Sequence, residues 1–230
     1  MRTLVLGDVH GNYKALKQVL KRSGFDSESE RLISLGDIYN GHPDSARCVE
    51  ALRGLPKFIW CLGNHDSHAR WWLRGDWKAS DPKGKWSLGS LKMVIDSYRT
   101  GKGTLDRDLI ALHKDFIETA VPYFIDKKDR LYLHAGIDWR FPVDEQAHYW
   151  IYYADRLTYR EHSLEHEAEG TRFPYKDVFI GHTKTIKQYP DAKPVRRANL
   201  WNLDTGAGTH GKLTIMDADT YEYWQSDRVG

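Results

Sequence analysis

Cysteine is scarce in this sequence. Only Cys48 and Cys61 occur among 230 residues, and they form no closely spaced motif. This usage offers no thiol-based metal site and is typical of proteins in a reducing compartment. We therefore expect a cytoplasmic protein.

Long hydrophobic runs are also missing. No apolar segment approaches the ~20 residues that a membrane helix needs. The N-terminus leads directly into TLVLG, without an apolar leader or a small-residue cleavage site behind it. We expect neither a membrane segment nor a secretion signal.

An excess of charge of one sign is a third absence. The 34 Lys and Arg residues nearly balance the 32 Asp and Glu residues, and no dense basic block occurs. We therefore expect no dedicated nucleic-acid-binding surface, although a nucleotide substrate is compatible with this balance. With 40% hydrophobic residues and nine tryptophans, the chain has ample material for a core, so we expect one domain spanning residues 1–230.

Five short apolar segments bounded by glycine or a polar residue predict buried strands. Each ends in a polar group: TLVLG precedes Asp8, RLISLG precedes Asp37, KFIWCLG precedes Asn64, RLYLH ends on His134, and DVFIG precedes His182. Amphipathic segments at 12–24 and 42–54 predict helices between the first three strands. This alternation predicts an α/β fold with parallel strands and right-handed crossovers.

The remaining segments predict less regular additions. Residues 67–120 are rich in Trp and Lys and then become helical in pattern, which predicts a mostly helical insertion within the domain. A second helical stretch is expected at about 144–170. The C-terminal segment, LWNLDTGAGTHGKLTIMDADTYEYWQ, alternates and turns at glycines like a β-hairpin. We therefore expect a second sheet.

Ligands of open α/β sheets bind at the carboxyl ends of the strands. The five strand ends would gather seven polar side chains in one cleft: Asp8, His10, Asp37, Asn64, His65, His134 and His182. Carboxylate, carboxamide and imidazole donors suit Mn²⁺, Fe or Zn²⁺. Asp37 could bridge two cations ~3.5–4 Å apart, an arrangement that activates hydroxide for attack at phosphorus. Each motif is weak alone, whereas all five in this order are a strong signal.

These motifs, GDVHGN, GDIYNG, GNHD, LHAGID and GHTKT, resemble those of the calcineurin-like metallophosphoesterases. The likeness is greatest to the branch of bacterial and phage protein phosphatases and symmetrical diadenosine-tetraphosphate hydrolases, and it spans nearly the whole chain. It implies two packed β-sheets flanked by helices, and two divalent ions, with Mn²⁺ expected and Fe, Zn²⁺ or Ni²⁺ as alternatives. The first ion would bind Asp8, His10 and Asp37, and the second would bind Asp37, Asn64, His134 and His182.

The resemblance also implies that His65 is the general acid and that Asn40 is its hydrogen-bond partner. Here the sequence departs from the family pattern. The family's second motif ends in Asp-Arg-Gly, whereas Asn40 and Gly41 occupy the Asp and Arg positions. A second phosphate-binding arginine is replaced by Tyr152, with Arg156 and Arg160 nearby. A neutral partner raises a histidine pKa less than a carboxylate does, and glycine cannot bind a phosphate oxygen.

The sequence thus predicts a dinuclear phosphoesterase that acts by hydroxide attack. We expect a phosphatase of small phosphorylated compounds or phosphoproteins. The alternatives are a nucleotide phosphodiesterase or pyrophosphohydrolase, and a catalytically weakened metal-binding interaction protein. The lack of a basic stripe counts against a nuclease.

Further Trp, Arg, Asp and Lys residues of the sequence are candidates for the same cleft. We expect Trp71, Trp72, Trp77 and Trp86 to pack the insertion onto the sheet rather than to stack on a nucleobase. Arg70 and Arg74 are expected to be solvated, and Asp66 and Asp204 are candidates to support the histidines. Lys184 stands where related diesterases have a further histidine ligand, which counts against that branch.

Overall fold

The computed structural model describes residues 1–76, 88–156 and 173–229, and its strands form two five-stranded sheets. The first sheet has the order β10-β9-β1-β2-β3. Its strands are β1 (Thr3–Leu6), β2 (Arg31–Ser34), β3 (Phe58–Trp60), β9 (Thr214–Asp217) and β10 (Tyr223–Gln225). β1, β2 and β3 are parallel, as predicted, and β9 pairs antiparallel with β1 and β10.

The second sheet has the order β4-β5-β6-β8-β7 and faces the first. Its strands are β4 (Tyr123–Ile125), β5 (Arg130–Leu133), β6 (Asp177–Ile180), β7 (Val195–Arg197) and β8 (Leu200–Asn202). Val5 and Met216 of the first sheet share one buried cluster with Tyr132 and Phe179 of the second. The sheets therefore bury their apolar faces against each other, and the expected two-sheet architecture is confirmed.

Helices cover the outer face of the first sheet. They are α1 (Tyr13–Arg22), α2 (Ser45–Arg53), α3 (Asn64–Leu73), α4 (Leu88–Ser97) and α5 (Arg107–Ile117), and a short α6 (Ile151–Ala154) lies beyond β5. Leu16, Val19, Val49 and Leu52 are buried, as the helical periodicity predicts. Among the described residues no helix is long and apolar enough to cross a bilayer.

Two sequence expectations require correction. The C-terminal segment does not fold as one hairpin, because β8 lies in the second sheet and β9 lies in the first. The hairpin joins β9 to β10 through residues 218–222 instead. The helical stretch expected at 144–170 contains only a 3₁₀ turn, Val143–Glu145, and α6, and residues 157–172 lie outside the described part of the chain.

A buried ion pair at the start of β5 connects the second sheet to the loop between β9 and β10 of the first. Arg130 Nε donates to Asp126 Oδ2 at 2.8 Å, and its Nη1 donates to the Ala218 carbonyl at 2.6 Å and to Asp219 at 2.8 Å. Burial opposes ionisation of Asp126, but the hydrogen bonds from Arg130 and from the backbone lower its pKa below the ordinary value. The carboxylate is therefore charged over most of the pH range.

We expect Asp126→Asn to lower the free energy of unfolding by about 1.5–3 kcal/mol at pH 7, because it removes one of the two described carboxylates that pair with the buried Arg130 and leaves Asp219. A carboxylate with a lowered folded pKa contributes stability above the unfolded pKa of about 4 and loses it as the pH falls through the folded pKa. The difference between variant and wild type should thus shrink under acid. Urea denaturation at pH 7 and at about pH 3 measures this, and Asp115→Asn, an exposed site, should change little.

Candidate metal centre

The seven predicted side chains lie together at one end of the two sheets. Asp8 and His10 follow β1, Asp37 follows β2, and Asn64 and His65 begin α3 directly after β3. The second sheet contributes His134 after β5 and His182 after β6. Parallel strands bring their carboxyl ends to the same edge, so this gathering follows from the topology.

Asp37 lies at the centre of the group. Its Oδ2 is 3.4 Å from His134 Nε2, 3.7 Å from His10 Nε2 and 3.9 Å from His65 Nε2. Two triads of potential ligand atoms, each within 4.8 Å of one another, share this residue: His10–Asp37–His65 and Asp37–His134–His182. A carboxylate shared in this way can bridge two cations.

Buried polar atoms without partners indicate that the centre suits cations. Among the described residues, Asp8 Oδ1 and His182 Nε2 are buried and accept no hydrogen bond. Burying such atoms without compensation is costly. Carboxylate, imidazole and carboxamide donors are the ligand types of Mn²⁺, Fe and Zn²⁺, so the side chains fit a pair of divalent ions.

The backbone is strained at the same residues. His10, Asp37, Asn40 and His182 have φ of 52°, 50°, 71° and 65°, the left-handed region that non-glycine residues seldom adopt. The loops hold this geometry because the N–H groups of Val9 and His10 both donate to the Asp37 carbonyl, at 3.1 and 2.8 Å. Such strain clusters at functional sites, where the surrounding structure enforces it.

Two glycines allow the carboxylates to approach the backbone closely. A Cβ at Gly63 would overlap Asp37 Oδ1, and one at Gly181 would overlap Asp8 Oδ1. The glycines of GNHD and of GHTKT are therefore required by contact with the two acidic side chains.

The charges of the centre differ from residue to residue. Burial opposes ionisation of Asp37, but the positive charge of His134, and that of His65 when its ring is protonated, hold the pKa of Asp37 well below the ordinary value. Burial and the nearby charge of Asp204 raise the pKa of Asp8 well above its ordinary value. Burial lowers the pKa of His10 to about 3 and, with the charge of His134, that of His182 to about 2. At neutral pH these two rings are therefore neutral and can offer a lone pair to a cation.

His134 is oriented by its second ring nitrogen. Nδ1 lies 2.7 Å from the Leu35 carbonyl and can only donate to it, which directs Nε2 at Asp37 and at Asn64 Oδ1, 3.2 Å away. Burial would lower the pKa of His134, but the charge of Asp37 raises it to about 10. A cation that binds Nε2 must displace this proton, so ion binding releases protons.

Asp66 supports the loops rather than a histidine. It accepts hydrogen bonds from the N–H groups of Ile38, Tyr39 and Gly63 and from Trp60 Nε1. It therefore joins the loop after β2 to the start of α3. Asp204 lies close enough to Asp8 to act on its charge, and its Oδ2 has no partner among the described residues.

His65 faces the cleft with 28% of its side chain exposed. Its Nδ1 lies 2.8 Å from Asn40 Nδ2, so the two residues that were expected to pair are in hydrogen-bond contact. With the amide donating, Nδ1 accepts and the ring proton resides on Nε2, the nitrogen that points toward Asp37.

The structure explains both missing arginines. Gly41 has φ of 90°, and a Cβ there would lie 2.8 Å from His10 Cβ, so a larger residue would be strained. Tyr152 is buried and donates to the Val143 carbonyl at 2.5 Å. Arg156, by contrast, reaches the centre, because its Nη1 donates to the His182 carbonyl at 3.0 Å.

The Trp and Arg candidates of the insertion contact other side chains or lie outside the described residues. Trp72 packs on Tyr98 with ring centroids 5.2 Å apart, as expected for a packing role. Arg74 pairs with Glu118, so it is not directed at the centre. Trp77 and Trp86 lie outside the described residues.

Comparison with known sequences identifies one family. The sequence model of the calcineurin-like phosphoesterases matches residues 1–193. Symmetrical bis(5′-nucleosyl)-tetraphosphatases of Dechloromonas aromatica and Proteus mirabilis are 39% and 41% identical over 67 and 71 residues, which is 29% and 30% of this chain. The aligned parts span 24% and 25% of those two proteins.

Comparison with solved structures shows the same fold. A protein provisionally described as a diadenosine tetraphosphatase superposes with a TM-score of 0.69 at 18% identity, over 100% of this chain and 94% of that one. A serine/threonine phosphatase of Saccharomyces cerevisiae superposes with a TM-score of 0.60 at 11% identity, over 100% and 81%. At these identities the likeness concerns the fold alone.

Proposed function

The chain belongs to the calcineurin-like phosphoesterase family, and we propose that it hydrolyses phosphate esters at a centre of two divalent cations. The observation that carries this proposal is the position of Asp37, which belongs to both triads of potential ligands. A carboxylate with a strongly lowered pKa, shared by two clusters of imidazoles, is the arrangement that a bridged pair of ions requires.

We assign Asp8, His10 and Asp37 to one ion, and Asp37, Asn64, His134 and His182 to the other, with Mn²⁺ as the expected metal. When bound, the ions would supply Lewis acidity for activating water and for neutralising charge on the phosphoryl oxygens. The protein's part is to fix the ligands, and the Leu35 carbonyl does this for His134.

His65 is the residue that we assign as general acid. It is the most exposed of the histidines around Asp37. The acid form is the imidazolium, in which Nδ1–H would donate to the Asn40 amide oxygen after a flip of the amide, while Nε2–H is the proton to be transferred. Giving that proton to the departing alkoxide avoids the release of a strong base into water. Asn40 is assigned to hold the ring in this orientation.

The first test is hydrolysis of an aryl phosphate monoester and of the matched diester by Mn²⁺-loaded protein. We expect turnover of the monoester with a kcat/KM at least about tenfold higher, and loss of both activities after chelation. Hydrolysis of neither ester by protein that binds two ions would contradict the proposal. That result would favour the alternative of an interaction protein with a weakened centre.

A second candidate is pyrophosphohydrolysis of a dinucleoside polyphosphate. The symmetrical tetraphosphatases that match this chain favour it, although the match spans a quarter of their length. Incubation with diadenosine tetraphosphate and separation of the products tests it. Formation of two nucleoside diphosphates would support this candidate, and an intact substrate beside active monoester hydrolysis would exclude it.

We expect Asn40→Asp to raise kcat for the monoester about tenfold at pH 7. Burial lowers the pKa of His65, so part of the ring population lacks the second proton. A carboxylate at position 40 would accept from Nδ1–H and raise that pKa, and one pKa unit is a tenfold change in the protonated fraction. Asn12→Asp is the matched control, since an aspartate also caps α1. An unchanged kcat would mean that the centre is adapted to a leaving group that needs no proton.

A further inference from the structure

We propose that Arg156 and Lys184 bind the phosphoryl oxygens of the substrate and make the centre selective for a dianionic phosphoryl group over a phosphodiester. This inference rests on the proposed function and names the substrate class of the same site. It follows from the positions of the two cations relative to the two triads.

The centre requires positive charge near the phosphoryl group. Positions 41 and 152 carry no positively charged residue. Gly41 lies so close to His10 that a larger side chain would be strained. Tyr152 is buried, and its hydroxyl donates to the Val143 carbonyl. A phosphate monoester carries two negative charges and a diester carries one, so the number of cations that face the centre decides between them.

Arg156 is held beside the second triad. The N–H of Ala135, next to His134, donates to the Tyr152 carbonyl at 2.7 Å, which fixes α6 against the centre. Arg156 follows α6 by two residues, and its Nη1 donates to the His182 carbonyl at 3.0 Å and to Thr183 Oγ1 at 3.4 Å. Both acceptors are neutral.

The described acceptors of Arg156 thus leave its charge without neutralisation. Within residues 1–76, 88–156 and 173–229, no carboxylate forms an ion pair with it. Its other N–H groups make no hydrogen bond to a described residue. A guanidinium anchored through one nitrogen presents the rest of its fork to an oxyanion.

Lys184 supplies the second charge, two residues after His182. It is half-buried and, within the described part of the chain, makes neither a hydrogen bond nor an ion pair. The N–H of Thr185, the next residue, donates to the Asp204 carbonyl at 2.8 Å, which holds Lys184 beside the loop after β8. A Cβ added at Gly208 of that loop would lie 2.5 Å from His10 Cδ2, so the loop reaches the His10 side of the centre. Lys184 thus lies next to this loop, and Arg156 lies at the His182 carbonyl.

Two cations that have no anionic partner among the described residues, one beside each triad, fit a phosphoryl group with three terminal oxygens. Each would contribute a charge-assisted hydrogen bond to a terminal oxygen. A diester has two terminal oxygens. With one terminal oxygen directed at the metal centre, a monoester would keep two for the two cations and a diester would keep one, so the diester would lose one of the two contacts. The class of substrate is therefore a phosphate monoester or another terminal phosphoryl group.

The test compares Arg156→Gln and Lys184→Gln with Lys187→Gln, an exposed lysine of the same segment. The first measurement is calorimetric binding of inorganic phosphate to Mn²⁺-loaded protein. We expect each of the two variants to lose at least about tenfold in affinity, which is about 1.4 kcal/mol. Lys187→Gln should stay within twofold of wild type, and Lys184→Arg, which keeps the charge, should recover most of the affinity.

The second measurement is the ratio of kcat/KM for an aryl monoester to that for the matched diester. We expect this ratio to fall at least about fivefold in both Gln variants. The monoester is expected to contact both cations and the diester only one, so removing a cation should weaken the monoester more. Equal losses on the two esters, or phosphate affinity within twofold of wild type, would overturn the inference.

A structural role for Arg156 makes a different prediction. Since Arg156 contacts the His182 carbonyl, Arg156→Gln could act by displacing the ligand. Titration with Mn²⁺ separates the two roles: we expect two ions to bind with affinity within twofold of wild type, and a loss of ion binding would overturn the inference. Should wild type hydrolyse neither ester, the proposed function fails, while the phosphate measurement still decides whether the two cations bind an oxyanion.

Discussion

Asp37→Asn is expected to reduce kcat/KM for a phosphate monoester by well over about 100-fold. Substituting residues that only orient a metal ligand lowers activity or metal affinity about 10–100-fold. Asp37 is itself a potential ligand and belongs to both triads, so its loss should cost more. Its Oδ1 also accepts from the N–H of His65 at 2.9 Å, which helps to place the general acid. Initial rates and metal content per chain, measured on the same preparations, test the prediction.

The loss should be accompanied by a loss of bound metal. The amide keeps the size of the side chain but removes the negative charge that attracts two cations, so we expect fewer than two ions per chain at equal Mn²⁺ concentration. Asp191→Asn, an exposed aspartate paired with Lys193, is the matched control and should retain full activity. An Asp37→Asn protein with two ions and undiminished turnover would exclude the bridging role.

His65→Gln is expected to lower kcat by about 10²–10⁴-fold, the range that general acid–base groups contribute. The effect should depend on the leaving group. It should be large for phenyl phosphate, whose leaving oxygen needs a proton, and much smaller for p-nitrophenyl phosphate, whose leaving oxygen is already stable as an anion. Parallel kinetics with the two substrates measure this dependence.

Metal binding distinguishes the assigned role of His65 from a ligand role. His65 lies in the triad with His10 and Asp37, so it could also contact an ion. As general acid it can be replaced with two ions still bound, whereas as a ligand its loss should release one. His68→Gln makes the same change one turn later on the same helix, α3, and so controls for effects on the helix. Equal losses on both aryl esters together with metal loss would assign His65 to the metal.

Much of the fold follows from local pattern. β1, α1, β2, α2 and β3 were predictable because short glycine-bounded apolar runs alternate with segments of helical periodicity. The gathering of the candidate site follows as well, since parallel strands end at one edge. The pattern could not assign β8 and β9 to different sheets, because alternation along a strand specifies its faces and not its partner.

The least predictable features are those set by neighbours distant in sequence. Nothing in GDIYNG reveals that Gly41 lies against His10, and nothing in GHTKT reveals that Lys184 lacks a partner among the described residues. The position of Arg156 relative to the centre likewise depends on where α6 packs. Which groups surround a charged side chain is set by the tertiary fold, and a single sequence does not specify those neighbours.

The division of the ligands between the two sheets links folding to ion supply. Asp8 and His182, 174 residues apart in the chain, already meet through a hydrogen bond of 3.0 Å from the His182 N–H to Asp8 Oδ2. Ions bound at the centre would favour only the folded chain, and at 100 times their dissociation constant they would add about 2.7 kcal/mol per site. A fall in available metal would therefore expose more of this chain to proteolysis, and its abundance in a cell would follow the metal supply as well as its rate of synthesis.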